Sequence, residues 1–468
     1  MIIWLAIFGT IYTLLLSYTS YIAKKERNLD PKEFALGGGN LNVFLGVLTY
    51  SATLFSTFTL MGMPNFFRTH GVGAWIFLGV TDVAMAFLII LFGLRIHKVF
   101  QQRNFYSMGS FLKHSYQSKL ASNIFLIGIF IFLIPYASIQ IKGISSFLAI
   151  SAPIKLSETY WSVVMLSIIL SYSSVGGFKA IVYSDAIQGL ILLAVVWLIS
   201  FACLENVGGF GEMFNVIKEN DPKLLSIPGP KGLLDFQFLF ASFLSIVIMP
   251  VTQPQLTTRL IAMKNRKQLR MMAPSVAFFV IAVILPATIL GMYGAVKYPT
   301  QTPQEFWNGL LIQDQSPVIA ALTIIGLIAA AMSTTDSQLF ALGNESTILL
   351  KDDKNVQAKT KGLIFIFAVG ALLFSIFSTD NLVPLARLSF AGTGVLAPMI
   401  LLAIFSEENQ KLGLLVPILS LVGLIIFIIS TLIYSKVYFG GIRIELILYF
   451  VLSLVAIFTY FQSKKKTA

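Results

Sequence analysis

The chain has 468 residues, 56% of them apolar and only 12% charged, with a mean hydropathy of +0.83. That composition excludes a water-soluble globular protein and fits an all-α membrane protein, because about 20 consecutive apolar residues cross a ~30 Å hydrocarbon core as a helix. The net charge of +12 does not point to nucleic acid, since the basic residues are sorted by side of the membrane and not gathered into one patch.

Hydropathy predicts thirteen spans, near 2–22, 41–63, 74–94, 123–149, 159–178, 180–204, 236–258, 273–296, 317–345, 362–379, 382–405, 412–434 and 443–462. Residues 1–22 lack a basic leader and a small-residue cleavage site, so they read as a true first span and not as a signal peptide. With the N-terminus outside, the inner loops hold 23 basic residues, from Lys24 and Arg27 through Arg95, Lys179, Arg259, Lys264, Lys351 and Lys354 to Lys464. The outer loops hold eight: Arg68, Lys155, Lys218, Lys223, Lys231, Lys297, Lys436 and Arg443. Lys142 and Arg387 fall within spans. This asymmetry predicts the N-terminus outside and the C-terminus in the cytoplasm.

The first loop runs into Gly37-Gly38-Gly39, which suits a tight entry to the next helix. The second span then crowds Thr49, Ser51, Thr53, Ser56, Thr57 and Thr59 into its middle, as expected of a helix in polar surroundings or one interrupted partway across. Asp82 lies in the third span, and Pro135, Gln140 and Lys142 in the fourth. The segment 205–235 is the longest outer loop, too short and polar for a domain. The seventh span is broken by Pro250 and Pro254, which remove backbone donors and kink or unwind a helix. In a membrane such backbone is tolerated only where protein buries it or it lines a polar cavity. The single Cys203 excludes an internal disulfide, and no Cys/His cluster has metal-site spacing.

The most informative stretch is Ile328 to Gln338 in the ninth span. Residues three and four apart share a helix face, so Ser333, Asp336 and Ser337 point the same way with Thr334 beside them. A carboxylate and hydroxyls at bilayer depth are costly unless satisfied, and hard cations such as sodium are satisfied by oxygen ligands. The plainer reading is that the hydroxyls bond their own backbone or a neighbouring helix.

Residues 41–204 and 236–405 each hold five spans and each open with a polar or broken helix. Because five is odd, the second block starts from the opposite side of the membrane. That is the pattern of an inverted-repeat transporter whose site lies where the broken helices meet. Residues 1–40 form an extra helix and inner loop, and residues 406–468 two final helices and a basic tail.

Three stretches carry a family resemblance. The run Gly176 to Gln188 resembles the Gly-Gly-x-x-Ala-Val-x-x-Thr/Asn-Asp-x-x-Gln signature of the sodium/solute symporter family, Ala331 to Leu339 resembles its Met-Ser-Thr/Ser motif, and Ser51 to Ser56 with Met61 to Pro64 resembles its first-helix break. The resemblance implies thirteen helices, the five-plus-five inverted repeat of leucine-transporter-type proteins, and sodium as coupling ion. It implies a sodium site made of the carbonyls of Ala52, Phe55 and Ala330 with the hydroxyls of Ser333 and Thr334. The positions matching a second cation site in some relatives are Asp185, Ser333, Asp336 and Ser337. Asp336 stands where relatives often have a hydroxyl, which leaves a stronger cation site, a protonated acid or no second site.

For the solute, the resemblance implies contacts at Leu54, Ser56 and Thr59, with Gln140, Lys142, Gln253 and Arg387 suggested by position. Ile246 and Met249 stand where sugar carriers have polar side chains, which argues against a sugar. If Lys142 and Arg387 face the outer vestibule they favour a carboxylate-bearing solute, of the monocarboxylate, amino-acid, pantothenate or sialic acid type. The plainer alternative pairs Lys142 with an acid such as Asp82 and lets Arg387 reach the headgroups. The expected partners are thus a small solute and the lipid bilayer, with no nucleic acid and no obligatory protein partner, in a bacterial inner membrane. A proton-coupled carrier using Asp185 and Asp336 is the alternative. A membrane enzyme is disfavoured because His70, His97 and His114 lie in or next to loops without acid partners, and a transporter-like sensor because no signalling domain is recognisable.

Overall fold

A computed structural model describes residues 1–25, 31–152, 154–349, 356–378, 382–408, 410–434 and 437–467. Arg27, Lys351, Lys354 and Lys436 of the charge distribution lie outside the described residues. The described chain is helical almost throughout, with one two-residue hairpin pairing Tyr438–Phe439 with Ile442–Arg443.

Eight of the described helices are long and apolar enough to cross a membrane. Two further helix pairs qualify as bent spans, Val43–Leu54 with Phe58–His70 at 57° and Leu382–Gly394 with Ala397–Phe405 at 44°. Many starts have a physical cause in one residue. The side chains of Asn42, Ser157, Asp235, Asn265 and Ser316 each accept from a backbone N–H of the first turn, replacing a bond that no helical carbonyl can supply.

Where helices stop inside the membrane also has local causes. The bent span is interrupted at Phe55, which is extended at φ −98° and ψ 127°. The proline-rich segment expected to form one span from 236 to 258 is three pieces, Phe236–Val247, Met249–Thr252 and Pro254–Ala262. Gln253 between the last two is extended because it precedes Pro254. At Gly177 the backbone takes φ +67°, a left-handed conformation open to glycine, and this separates Glu158–Leu170 from Gly177–Asn206 within one nearly continuous run.

The helix Pro317–Glu345 is the central post. In its apolar window 78% of the residues are buried, against 17% in the N-terminal helix, so the former sits in the middle and the latter at the lipid-facing edge. It packs on Val43–Leu54, Lys119–Ser151, Glu158–Asn206 and Pro254–Ala262. A parallel bridge between Leu41 and Met263 joins the start of the bent span to the end of Pro254–Ala262, with Leu41 N donating to Ala262 O at 3.0 Å.

Candidate functional site

The site is built where the bent span crosses the central helix. In an unbroken helix the Ser56 N–H would donate to Ala52 O. Here the Thr59 hydroxyl accepts that N–H at 3.0 Å, and the Ser56 hydroxyl in turn accepts the Phe58 N–H at 3.2 Å. The break therefore satisfies its own donors with side chains and releases Ala52 O. That carbonyl meets the central helix: Ser333 Oγ donates to it at 2.9 Å and Thr334 Oγ1 at 3.4 Å. Ser333 Oγ also lies 3.0 Å from Ala330 O, and Thr334 Oγ1 3.3 Å from Thr53 O. Four of the five expected ligand residues, Ala52, Ala330, Ser333 and Thr334, are thus gathered at one point. Phe55 is fully buried at the break with its ring 6.1 Å from that of Phe279. Every oxygen in the cluster is neutral, hard and buried, a donor set that suits a small monovalent cation.

A second cluster, differently charged, lies further along the same two helices. Asp185 and Arg259 form an ion pair at 2.6 Å with side chains 0% and 1% exposed. Asp185 Oδ2 also accepts from Thr49 Oγ1 at 2.6 Å, and Arg259 Nη2 donates to Ser337 Oγ at 2.6 Å. The guanidinium also reaches the bent span and its own helix, with Nε donating to Thr49 Oγ1 at 2.9 Å and Nη1 to Gln255 O at 2.7 Å. Ser337 Oγ lies 3.4 Å from Asp336 Oδ1, while Asp336 Oδ2 and Asp185 Oδ1 are buried without a hydrogen-bond partner. Asp185, Asp336 and Ser337 therefore do meet, but around an arginine.

Arg259 is the residue that hydropathy misplaces. It lies one position past the expected end of the seventh span and reads there as an inner-loop charge. The proline break lets the chain continue as Pro254–Ala262, which carries Arg259 inward, where it is 1% exposed. The available signal was the break itself, since residues after an interrupted helix are not automatically loop. Tyr12 was missed too, and Gln188 entered only as the last residue of the Gly176 to Gln188 motif; its amide donates to the Tyr12 hydroxyl at 2.9 Å beside Met332.

The solute candidates divide into two groups. Leu54, Ser56 and Thr59 are buried at the break. Gln140 is fully buried, and neither of its amide atoms has a partner. It shares a helix face with Gly143, where an added Cβ would meet Thr57 Cγ2 at 2.7 Å, so Gln140 faces the break. The Thr57 hydroxyl is likewise buried and unpartnered. Gln253 is held between Thr393 Oγ1 and the Gln255 amide, at 2.9 Å each. The two cations are engaged with acids: Lys142 with Glu158 at 2.6 Å, not with Asp82, and Arg387 with Glu445 at 2.8 Å and the Ser242 hydroxyl at 2.8 Å.

An interrupted helix facing a hydroxyl-bearing partner at membrane depth, within an almost wholly helical frame among the described residues, is the architecture of a membrane transporter. The chain belongs to the sodium:solute symporter family, whose model matches residues 34–423. Among curated proteins it is 24% identical over 327 residues to the sodium/pantothenate symporter of Haemophilus influenzae, covering 68% of this chain and 65% of that protein. It is 26% identical over 464 residues to the high-affinity proline transporter of Bacillus subtilis, covering 95% of this chain and 94% of that one. Among solved structures it resembles a substrate-bound, outward-open Na+-coupled sialic acid symporter at TM-score 0.79 and 17% identity, over 97% of both chains. It also resembles MhsT in complex with L-phenylalanine at TM-score 0.55 and 14% identity, over 90% of this chain and 98% of that one. The family is one of multi-pass secondary transporters with sodium as coupling ion, not of enzymes.

Proposed function

We propose that this protein is a sodium-coupled symporter that imports a small carboxylate-bearing solute by alternating access. The observation that carries the reading is the released Ala52 carbonyl, opposite Ser333 and Thr334 on the central helix. Sodium, as co-transported cargo, is bound by the carbonyls of Ala52, Phe55 and Ala330 with those two hydroxyls. The unpartnered Gln140 and Thr57 beside the break, with Leu54, Ser56 and Thr59, support a solute site next to the ion. Gln253 borders it, while Lys142 and Arg387 tie neighbouring elements together through their acids. Pantothenate, proline and sialic acid, named for the relatives, all carry a carboxylate, which supports that solute class.

The three shorter apolar helices Glu158–Leu170, Phe236–Val247 and Leu415–Thr431, taken with the longer spans and bent pairs, support thirteen crossings. On that count the repeat is five plus five, with the N-terminus outside and the C-terminus in the cytoplasm, in a bacterial inner membrane. At Asp185, Asp336 and Ser337 the guanidinium of Arg259 already supplies a cation, which supports coupling to one sodium ion.

The test is a thermal-unfolding titration of the purified protein with sodium against potassium, followed by carboxylates, amino acids and sugars in sodium. A ligand at a hundred times its Kd stabilises the folded state by about 2.7 kcal/mol. Stabilisation by sodium alone, followed by a response to one carboxylate, is expected; indifference between the two cations overturns the proposal. The proton-coupled alternative is less favoured, since the family is sodium-coupled. It requires uptake that varies with inner pH in the parent and not in Asp336→Asn, and sodium-dependent uptake insensitive to inner pH removes it.

A further inference from the structure

The side of the molecule read as outer holds a cavity of about 390 Å³ above the helix break. Gly62 and Leu382 are among its lining residues. A Cβ at Gly143 would touch both Thr57 and Leu382, so Leu382 packs against the same spot that the unpartnered Thr57 occupies. The cavity is therefore separated from the proposed solute site by about one layer of side chains.

Its charge is one-sided. Arg68, His70 and Lys231 line it, and no carboxylate does among the described residues. The positive-inside pattern makes cations scarce on this face, yet two of the eight outer basic residues meet here. Arg68 is held by neutral acceptors only: it donates to Tyr298 O, to Gln301 O at 3.0 Å and to Asn65 Oδ1 at 2.8 Å. Its guanidinium also lies 4.6 Å from the centre of the Phe306 ring. Its hydrogen bonds are satisfied but its charge is not neutralised by an anion. The nearby acids are occupied elsewhere. Asp314 accepts from Lys297 at 2.9 Å and from the Tyr293 and Tyr298 hydroxyls at 2.7 Å, and Glu305 from the Thr302 N–H at 2.9 Å.

The loop carrying Lys231 is fixed against the bent span. Val72 N donates to Leu224 O at 2.8 Å, and Gly229 at φ +81° lies so close that a Cβ there would come within 2.4 Å of His70 O. Lys231 itself is exposed at the cavity rim.

We propose that this cavity is an entry site for small carboxylates, where Arg68 sets a positive potential and Lys231 contacts the anion before it passes Leu382. The inference rests on the carboxylate reading above and adds a second binding position for the solute. A fixed positive field in a walled cleft raises the local concentration of anions and their rate of entry.

The test reads the cavity and not transport, so its failure is separable from failure of the symport reading. Thr300, which lines the cavity, is replaced by cysteine in a Cys203→Ala background; Cys203 is the chain's single, buried cysteine. The probes are two methanethiosulfonates of similar size, an ethylsulfonate anion and an ethyltrimethylammonium cation, each referenced to its rate with a free thiol. The anionic reagent is expected to be favoured, and Lys231→Glu to lower the anion-to-cation rate ratio on the order of tenfold, with Lys231→Gln between. Propionate should slow the anionic reagent more than neutral propionamide does. A cysteine that neither reagent reaches, a ratio unmoved by Lys231→Glu, or equal slowing by propionate and propionamide would each overturn the proposal.

Discussion

Two clusters border the same pair of helices, the second joined there by Asp185 and Arg259 from two others, and they solve the burial of polar groups in opposite ways. At the Ala52–Ser333–Thr334 point every group is neutral, and hydroxyls meet released carbonyls at 2.9 to 3.4 Å. At Asp185 a full negative charge is buried, and Arg259 from Pro254–Ala262 is held against it at 2.6 Å. Neutral oxygens can exchange a hydroxyl hydrogen bond for an ion and back at modest cost, because neither state leaves a bare charge. A buried carboxylate has no such freedom, since removing its cation costs several kcal/mol. The first cluster suits a passing ion, whereas the second is built with its cation attached and ties together four separate segments.

The largest expected effect breaks the charged cluster. Arg259→Met leaves Asp185 buried and unpaired and should cost roughly 3–5 kcal/mol of stability. Pairing it with Asp185→Leu should recover part of that loss, because an apolar replacement of both partners leaves no orphan of the pair, while Asp336 stays buried beside them. Thermal unfolding of the two variants and the Asp185→Leu single in one detergent closes the cycle; a single Arg259→Met protein as stable as its parent would refute the tethered-cation description.

At the neutral cluster the effects should be smaller and tied to sodium. Ser333→Ala removes one oxygen ligand and should weaken sodium binding by about tenfold, or 1.4 kcal/mol. Titrations of sodium-dependent stabilisation check this, with Arg259→Lys as the contrast: its stability should fall while its sodium affinity stays within about threefold of the parent, about 0.65 kcal/mol. Gln140→Leu should be neutral or stabilising by up to about 1 kcal/mol without solute, since it removes an unpartnered buried amide. It should nonetheless abolish the response to the carboxylate that stabilises the parent, and an unchanged solute response would remove Gln140 from the site.

The two clusters also differ in how far they could be read from sequence. Ser333, Thr334 and Asp336 stand out because hydroxyls and an acid interrupt an apolar run, and helical spacing puts them on one face. In composition the weakness at Phe55 showed only as a crowd of hydroxyls, and it took the family resemblance to mark a break there and name Ala52; the bond that frees this carbonyl, Thr59 accepting the Ser56 N–H, has no compositional signature. Arg259 was hidden for a different reason. A hydropathy window sees a basic residue at the end of an apolar stretch as loop, and only the pieces around Pro250 and Pro254 move it into the core. The acid partners of Lys142 and Arg387, Glu158 and Glu445, are brought close by helix packing, which spacing along the chain does not encode.

The smallest expected effect separates the two duties of a hydroxyl at the neutral cluster. Thr334 Oγ1 is 3.4 Å from Ala52 O and 3.3 Å from Thr53 O, both longer than the 2.9 Å from Ser333 Oγ to the same carbonyl. Long hydrogen bonds contribute little, so Thr334→Val, which keeps the β-branched shape, should change sodium-free stability by only a few tenths of a kcal/mol. If Thr334 is a ligand, the same variant should lose sodium-specific stabilisation nearly as fully as Ser333→Ala, because an ion draws both hydroxyl oxygens inward regardless of how well they bonded before. Unfolding curves for Thr334→Val in potassium and in sodium measure both quantities on one sample. A variant weakened equally in the two salts would make Thr334 a structural hydroxyl and leave the ion to Ser333 and the carbonyls.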